Sequence, residues 1–242
     1  MPDTAPLTLL YCDDAMVAVD KPSGVAVIPA PRLPAGACLR DRLAAQIGSR
    51  TWVVHRLDRD TSGVIVFART ADAHRALSMA FEHRQVQKTY LAFVAGLPSP
   101  ARGDIAQPLH EARKGRMRPA ALGEPGALEA RTEYAVRQAW RQGGRVVALV
   151  EARPHTGRHH QIRVHLRSVG TPILHDPVYG RAVPAVATGD EAPIARLALH
   201  AASLTLPHPV SGKVFALDAP LAFDLAALRD GLDRTWTPEP VA

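Results

Sequence analysis

The chain has 242 residues, a formal charge of +6 and a hydrophobic content of 47%. That length is enough to bury a substantial core, and the composition excludes a disordered chain. No run approaches the ~18–20 apolar residues of a membrane helix. Cys12 and Cys38 stand alone, which excludes a disulfide framework or a cysteine metal cluster and makes a reducing cytoplasm the expected compartment. The modest positive excess suits a polyanionic partner without requiring one. Met1-Pro2-Asp3-Thr4 lacks a basic stretch followed by an apolar core, so no signal peptide is expected.

In chain order, Leu7 to Tyr11 and Met16 to Val19 read as strands about an Asp13-Asp14 turn. Lys21-Pro22-Ser23-Gly24 is a second turn, and Pro29 to Gly36 a Pro-rich loop. Leu39, Leu43, Ala44 and Ile47 keep a helical period, and Gly48 stops it. Next comes a polar stretch between two apolar runs, His55-Arg56-Leu57-Asp58-Arg59-Asp60-Thr61-Ser62-Gly63, which reads as a loop held by strands. Asp58 is its candidate catalytic carboxylate, and the flanking Arg56 and Arg59 offer contacts to phosphate.

Thr70 is the expected N-cap of a helix whose apolar face is Ala73, Leu77, Ala80 and Phe81. Gln87 to Val94 reads as a buried strand with Tyr90 in its middle. Residues 96–130 read as a long irregular segment with a basic cluster, His110, Arg113, Lys114, Arg116 and Arg118. Arg131 to Val136 and Arg145 to Ala152 are expected to pair as a hairpin across Gln142-Gly143-Gly144.

A second dense stretch runs from Arg153 to Leu166. It opens as a loop and continues as a helix with Ile162, Leu166 and Val169 on one face and Gly170 as its end. Arg163 lies beside that stripe, and a buried arginine needs a carboxylate partner. Pro172 to Gly180 reads as a loop with an apolar anchor, and residues 181–195 as a surface loop. Leu197 to Leu206 and Lys213 to Leu217 read as strands, and the tail after Pro220 as a short helix with a frayed end. The elements amount to one α+β domain over 1–242, with a core of about 7–220 and a C-terminal tail at 221–242.

HRLDRDTSG resembles the signature of the RluA-type family of RNA pseudouridine synthases, and three other stretches agree with it. Lys88-Thr89-Tyr90 is similar to the family's K-x-Y segment. Thr156 to Leu166 is similar to its TGRxHQxRVHL segment. The Pro22-Ser23-Gly24 turn and the strand from Leu199 to Pro209 also fit. His175 departs from the pattern by standing where a Gly is usual.

The resemblance implies a long, mostly antiparallel sheet flanked by helices and loops around a basic cleft. It implies isomerisation of uridine to pseudouridine without cofactor or metal, by Asp58 with Tyr90 packed on the base and Arg163 paired to Asp58. His55, Arg56, Leu57, Arg59, Thr61, Arg158, His160, Gln161 and His165 are the implied substrate contacts. Because residues 7–47 already belong to the catalytic fold, no separate N-terminal RNA-binding domain is expected, and a monomer must recognise its RNA alone. The expected partner is 23S ribosomal RNA, a tRNA anticodon stem-loop or both; a tRNA-only enzyme is the alternative.

Other chemistries fit less well. Asp58-Arg59-Asp60-Thr61-Ser62 is similar to the D-x-D-x-[TV] motif of magnesium-dependent haloacid-dehalogenase-type phosphatases, but the fifth residue is Ser62 and no apolar strand end precedes Asp58. His155 and His159 have i, i+4 spacing, yet Pro154 and Gly157 break the helix a zinc site would need, and HExxH is absent. A silent RNA-binding module would not need Asp58, Tyr90 and Arg163 together.

Overall fold

A computed structural model describes residues 5–31, 33–180 and 194–241. The chain gathers into two compact units, Met1–Lys88 with Ala201–Ala222, and Thr89–His200 with Phe223–Ala242. The architecture is α+β, as expected, with mostly antiparallel sheet and four α-helices among the described residues.

The first unit starts with β1 (Thr8–Cys12) and β2 (Met16–Lys21). The turn between them forms because Asp13 Oδ1 accepts from the amides of Ala15 and Met16 at 2.9 and 2.8 Å. α1 (Leu39–Ile47) ends on Gly48 at φ +65, whose amide donates to Ala44 O. β3 (Trp52–Val53) and β4 (Ser62–Ala68) bracket the Asp58 loop. β4 lies against β2 in a register from Met16↔Ala68 to Lys21↔Gly63. Both strands are buried on both faces, which is why they read as unbroken apolar runs rather than as alternation. α2 (Ala71–Glu82) is capped by Thr70, which accepts from the Ala73 amide at 3.1 Å. Its buried residues are Ala73, Leu77 and Ala80.

β5 (Gln87–Ala95) leads into the second unit. Only Ala92, Phe93 and Val94 are buried, so the strand is less enclosed than its composition suggests. Residues 96–130 are only partly irregular. They form β6 (Arg102–Ile105), β7 (Leu109–Ala112) and β8 (Arg116–Pro119), and β7 and β8 pair as a hairpin. The sequence hides this because the strands are short and carry the basic cluster. Lys114 and Gly115 take the positive φ values, 60 and 66, that let the chain reverse.

β9 (Thr132–Gln142) and β10 (Arg145–Pro154) form the long hairpin, longer than expected. Gly143 and Gly144 turn it at φ +52 and +78, where a β-carbon would strain the backbone. β10 pairs with β5, placing Ala152 opposite Tyr90. α3 (Gln161–Ser168) follows; Ile162 and Leu166 are buried, but Val169 is 39% exposed and lies outside the apolar face expected for it.

β11 (Leu199–Pro207) and β12 (Val214–Asp218) pair antiparallel, mostly in the first unit. There, β4 and β11 come so close at Gly63 that a β-carbon would lie 2.1 Å from Ala201 O. The C-terminal segment holds the expected helix and stays packed as far as Glu239. α4 (Phe223–Thr235) spans 13 residues, and β13 (Thr237–Pro238) adds to β9. Trp140 Nε1 donates to Asp233 at 2.8 Å, and Arg141 forms a two-bond fork with Glu239. The signal for this packed end is Leu225, Leu228 and Leu232, the buried face of α4. The surface loop expected at 181–195 falls, for residues 181–193, outside the described residues.

Candidate active site

Asp58 is half-buried in the loop between β3 and β4. The Pro22–Gly24 turn is laced to that loop. Arg59 O accepts from the Gly24 amide at 2.9 Å, Arg59 Nε donates to Gly24 O at 2.8 Å, and Ser23 Oγ donates to Asp60 O at 2.7 Å. At the centre is Lys21, which has no exposed surface. Its ammonium donates to the carbonyls of Pro22, Val25 and Arg59 at 2.9, 2.8 and 2.8 Å. Burying an ammonium is costly unless its protons find acceptors, and here one lysine fixes three stretches of backbone. In the sequence Lys21 reads only as a turn residue; its signal is a lysine two positions past the apolar run Met16–Val19, at the end of the same strand.

Lys21→Met keeps the bulk and removes the donors. It should cost roughly 2–4 kcal/mol in urea unfolding and loosen the loop that carries Asp58. Unchanged stability would show that the three carbonyls do not depend on Lys21.

The other predicted residues of this loop divide by exposure. Arg56 and Arg59 are exposed and available to an anionic partner. Leu57 and Thr61 are buried, at 8% and 2% exposure. His55 stacks on Phe81 with ring centroids 4.5 Å apart, and its Nε2 accepts from the Val66 amide at 3.1 Å. Burial, aided by the nearby Lys88 ammonium, pushes its pKa down to about 3. His55 is thus a neutral pin between α2 and β4. Of the three residues expected to touch substrate, His55 has its ring engaged inside the protein, and Leu57 and Thr61 are buried.

The remaining predicted residues lie in the second unit. Tyr90 is half-buried on β5. Gln161, at the start of α3, is saturated. Its Oε1 accepts from Thr156 Oγ1 and the Arg158 amide at 2.7 and 3.0 Å, and its Nε2 donates to Arg131 O and Thr132 Oγ1, both at 2.9 Å. His165 is fully buried, with Nδ1 2.8 Å from Thr132 Oγ1 and Nε2 2.9 Å from Gln107 O. Burial lowers its pKa. Gln161 and His165, both expected at the substrate, therefore tie α3 to β9 and to the segment before β7. Arg158 is half-buried and donates from Nε to Glu129 O at 2.9 Å.

Arg163 is 5% exposed and forks onto Asp176, Nε to Oδ2 at 2.8 Å and Nη2 to Oδ1 at 2.9 Å. Its guanidinium carbon lies 5.1 Å from the centroid of the Tyr179 ring. Asp176 also accepts from the amides of Val178 and Tyr179 at 2.8 and 2.9 Å. Burial opposes its charge, but the Arg163 fork and the two amides outweigh that and hold its carboxyl below the usual range. The sequence demands a carboxylate for a buried Arg163 without identifying Asp176, which reads as an ordinary turn residue.

The Tyr179 hydroxyl accepts from the Met117 amide at 2.8 Å and lies 2.9 Å from His160 Nδ1. His160 sits at φ +54 just before α3. Leu109, Met117, Ala130, Val164 and Tyr179 pack together, so the β7–β8 hairpin is seated on α3. Arg113, Lys114 and Arg116 are exposed on it, and Arg118 is forked onto Glu124.

Chemically, the two units supply a half-buried carboxylate on a braced loop, a half-buried tyrosine, a buried arginine held by its own aspartate, and a basic hairpin. Known proteins resemble this chain over most of its length. The model of a family described as RNA pseudouridylate synthase matches residues 15–168. A ribosomal large subunit pseudouridine synthase D of Nitrosomonas europaea is 38% identical over 232 residues, covering 93% of this chain and 65% of that protein. One of the same name from Xanthomonas campestris pv. campestris is 38% identical over 243 residues, covering 96% and 71%. The chain thus spans about two thirds of the length of these relatives. Among solved structures, human RNA Pseudouridylate Synthase Domain Containing 4 aligns with a TM-score of 0.75 at 28% identity, over 97% of this chain and 95% of that one.

Proposed function

This chain belongs to the RNA pseudouridylate synthase family, and we propose that it isomerises uridine to pseudouridine in structured RNA, with Asp58 as the catalytic carboxylate. The match over residues 15–168 carries the reading, because it includes HRLDRDTSG, Tyr90 and Arg163. Residues 1–242 are proposed to work as a single catalytic domain. Tyr90 packs on the target base, and Arg163, oriented by Asp176, serves Asp58.

The reaction breaks the bond from ribose C1′ to N1 of uracil, turns the base, and forms a bond from C1′ to C5. The proton on C5 is lost and N1 regains one, so the product is an isomer. Asp58 acts either as nucleophile or as base on the ribose. Water must be kept out while the base is detached. The base must first leave its stack, and Arg56, exposed beside Asp58, is suited to fill the gap. Arg59, Arg158, His160 and the exposed cations of the β7–β8 hairpin supply phosphate contacts.

The names of the relatives favour a large-subunit ribosomal RNA as the substrate, and we propose a tRNA anticodon stem-loop as a second target because a compact loop can recur in more than one RNA. We place the enzyme in the cytoplasm as a monomer. Among the described residues no helix is long and apolar enough to cross a membrane.

Mapping pseudouridines in total RNA with and without the protein identifies the site. A short hairpin copied from that site should then be modified by the protein alone, because a flipped base leaves a loop more cheaply than a stem. Activity on prefolded hairpin should survive EDTA. Modification of only the full-length RNA would mean that long-range contacts or a partner are required, and metal-dependent phosphate release that vanishes with Asp58→Ala would move the reading to a phosphatase.

A further inference from the structure

His175 occupies a backbone position that disfavours it. Its φ is +55, the left-handed region, where a β-carbon crowds the backbone and glycine is the residue at ease. The surroundings leave the turn little freedom. Just before it, Ile173 bridges to Val94, and Leu174 donates its amide to Phe93 O at 2.8 Å and accepts from the Ala198 amide at 3.1 Å. Just after it, Asp176 is buried and forked to Arg163. The Asp176 amide reaches back to Ile173 O at 3.4 Å, and the Gly180 amide donates to Asp176 O at 3.0 Å. The turn is therefore pinned at both ends, and the strain falls on His175.

Nothing among the described residues repays that strain. Among the described residues the His175 imidazole makes no hydrogen bond, ion pair or ring contact. The side chain is half-buried rather than splayed into solvent, and its ring nitrogens do not belong to the sealed unsatisfied atoms. A strained residue with an unused polar ring, next to the carboxylate that holds Arg163, fits a group reserved for a ligand.

We propose that His175 is a substrate-contact residue whose imidazole hydrogen-bonds the edge of a nucleobase of the RNA. This rests on the reading of the chain as an RNA-modifying enzyme and adds a contact to it. A base edge suits the ring better than a phosphate does. Burial lowers the imidazole's pKa, so at neutral pH it offers one donor and one acceptor and no charge. A base presents both partners, whereas a phosphate presents acceptors and favours a cation.

Two variants of the full chain test this. His175→Gly relieves the backbone and should raise Tm by about 2–4 °C, yet weaken binding to the hairpin by roughly three- to tenfold. His175→Asn tolerates the left-handed region and keeps a donor and an acceptor, so it should bind within about twofold of the wild type. The salt dependence of binding should keep its slope in both, since no phosphate contact is lost. A His175→Gly protein that binds as tightly as the wild type overturns the proposal, whatever its Tm. So does a salt slope reduced by about one counterion, which would mark a phosphate contact. Melting and binding need no turnover, so they judge His175 even if the protein forms no pseudouridine.

Discussion

Asp58→Asn is expected to abolish pseudouridine formation while leaving RNA affinity close to that of the wild type. Asparagine has nearly the same shape and keeps one carbonyl oxygen, but it is neither a nucleophile nor a base of the required strength. Losing the group that carries the reaction costs several powers of ten in rate, each worth ~1.4 kcal/mol of barrier. Binding is spared because phosphate contacts come from other residues, among them the exposed Arg56 and Arg59. The fold is spared because the loop is braced by its backbone. Gly24, Ser23 and Lys21 bond to the carbonyls of Arg59 and Asp60, and the Thr61 amide donates to Asp58 O at 3.2 Å. The measurement is single-turnover conversion of the mapped hairpin beside equilibrium binding of the same RNA. Near-wild-type turnover by a folded Asp58→Asn protein would remove Asp58 from the mechanism.

Much of the fold is legible in the sequence, for physical reasons that differ by element. α1 and α2 are readable because a helix announces its ends locally: Gly48 supplies the left-handed stop, and Thr70 the cap. The Asp58 loop is readable because a run of polar residues between two apolar strands cannot be buried cheaply and must leave the sheet. β7 and β8 are not readable. Each has four residues, and their pairing depends on Leu109 and Met117 reaching a cluster with Val164 and Tyr179, residues far along the chain.

The side-chain roles divide the same way. A motif says that His55, Gln161 and His165 belong at a site, but not whether they face a ligand or the protein. His165 illustrates the difference: Thr132 and Gln107 take both ring nitrogens, and neither partner is near it in sequence. Asp176 is invisible for the converse reason. A short-range reading sees a turn aspartate before proline, and only the folded chain brings Arg163 to it, 13 residues away.

Arg163→Ala should cost both activity and stability. The pair is buried, with side chains 6% and 1% exposed, so removing one partner strands the other's charge in a poorly solvating interior. A loss on the order of 3–5 kcal/mol is expected for a pair so enclosed, read as a shift in the urea midpoint. Arg163→Lys keeps a positive charge but cannot reach both oxygens of Asp176 in one plane, so it should remain impaired in turnover. Asp176→Asn probes the same pair from the other side. The folded-state pKa of Asp176 is depressed, so its contribution to stability is fully present above the unfolded value near 3.8 and is lost as pH falls through the folded value. The wild type should therefore lose stability on acidification through and below that region, and Asp176→Asn should show a flatter profile there. The double variant Arg163→Ala/Asp176→Ala should be less destabilised than the two single losses added together, because it leaves no stranded charge. Strict additivity, or an Arg163→Ala enzyme with normal turnover and midpoint, would show that this fork neither holds the second unit together nor serves Asp58.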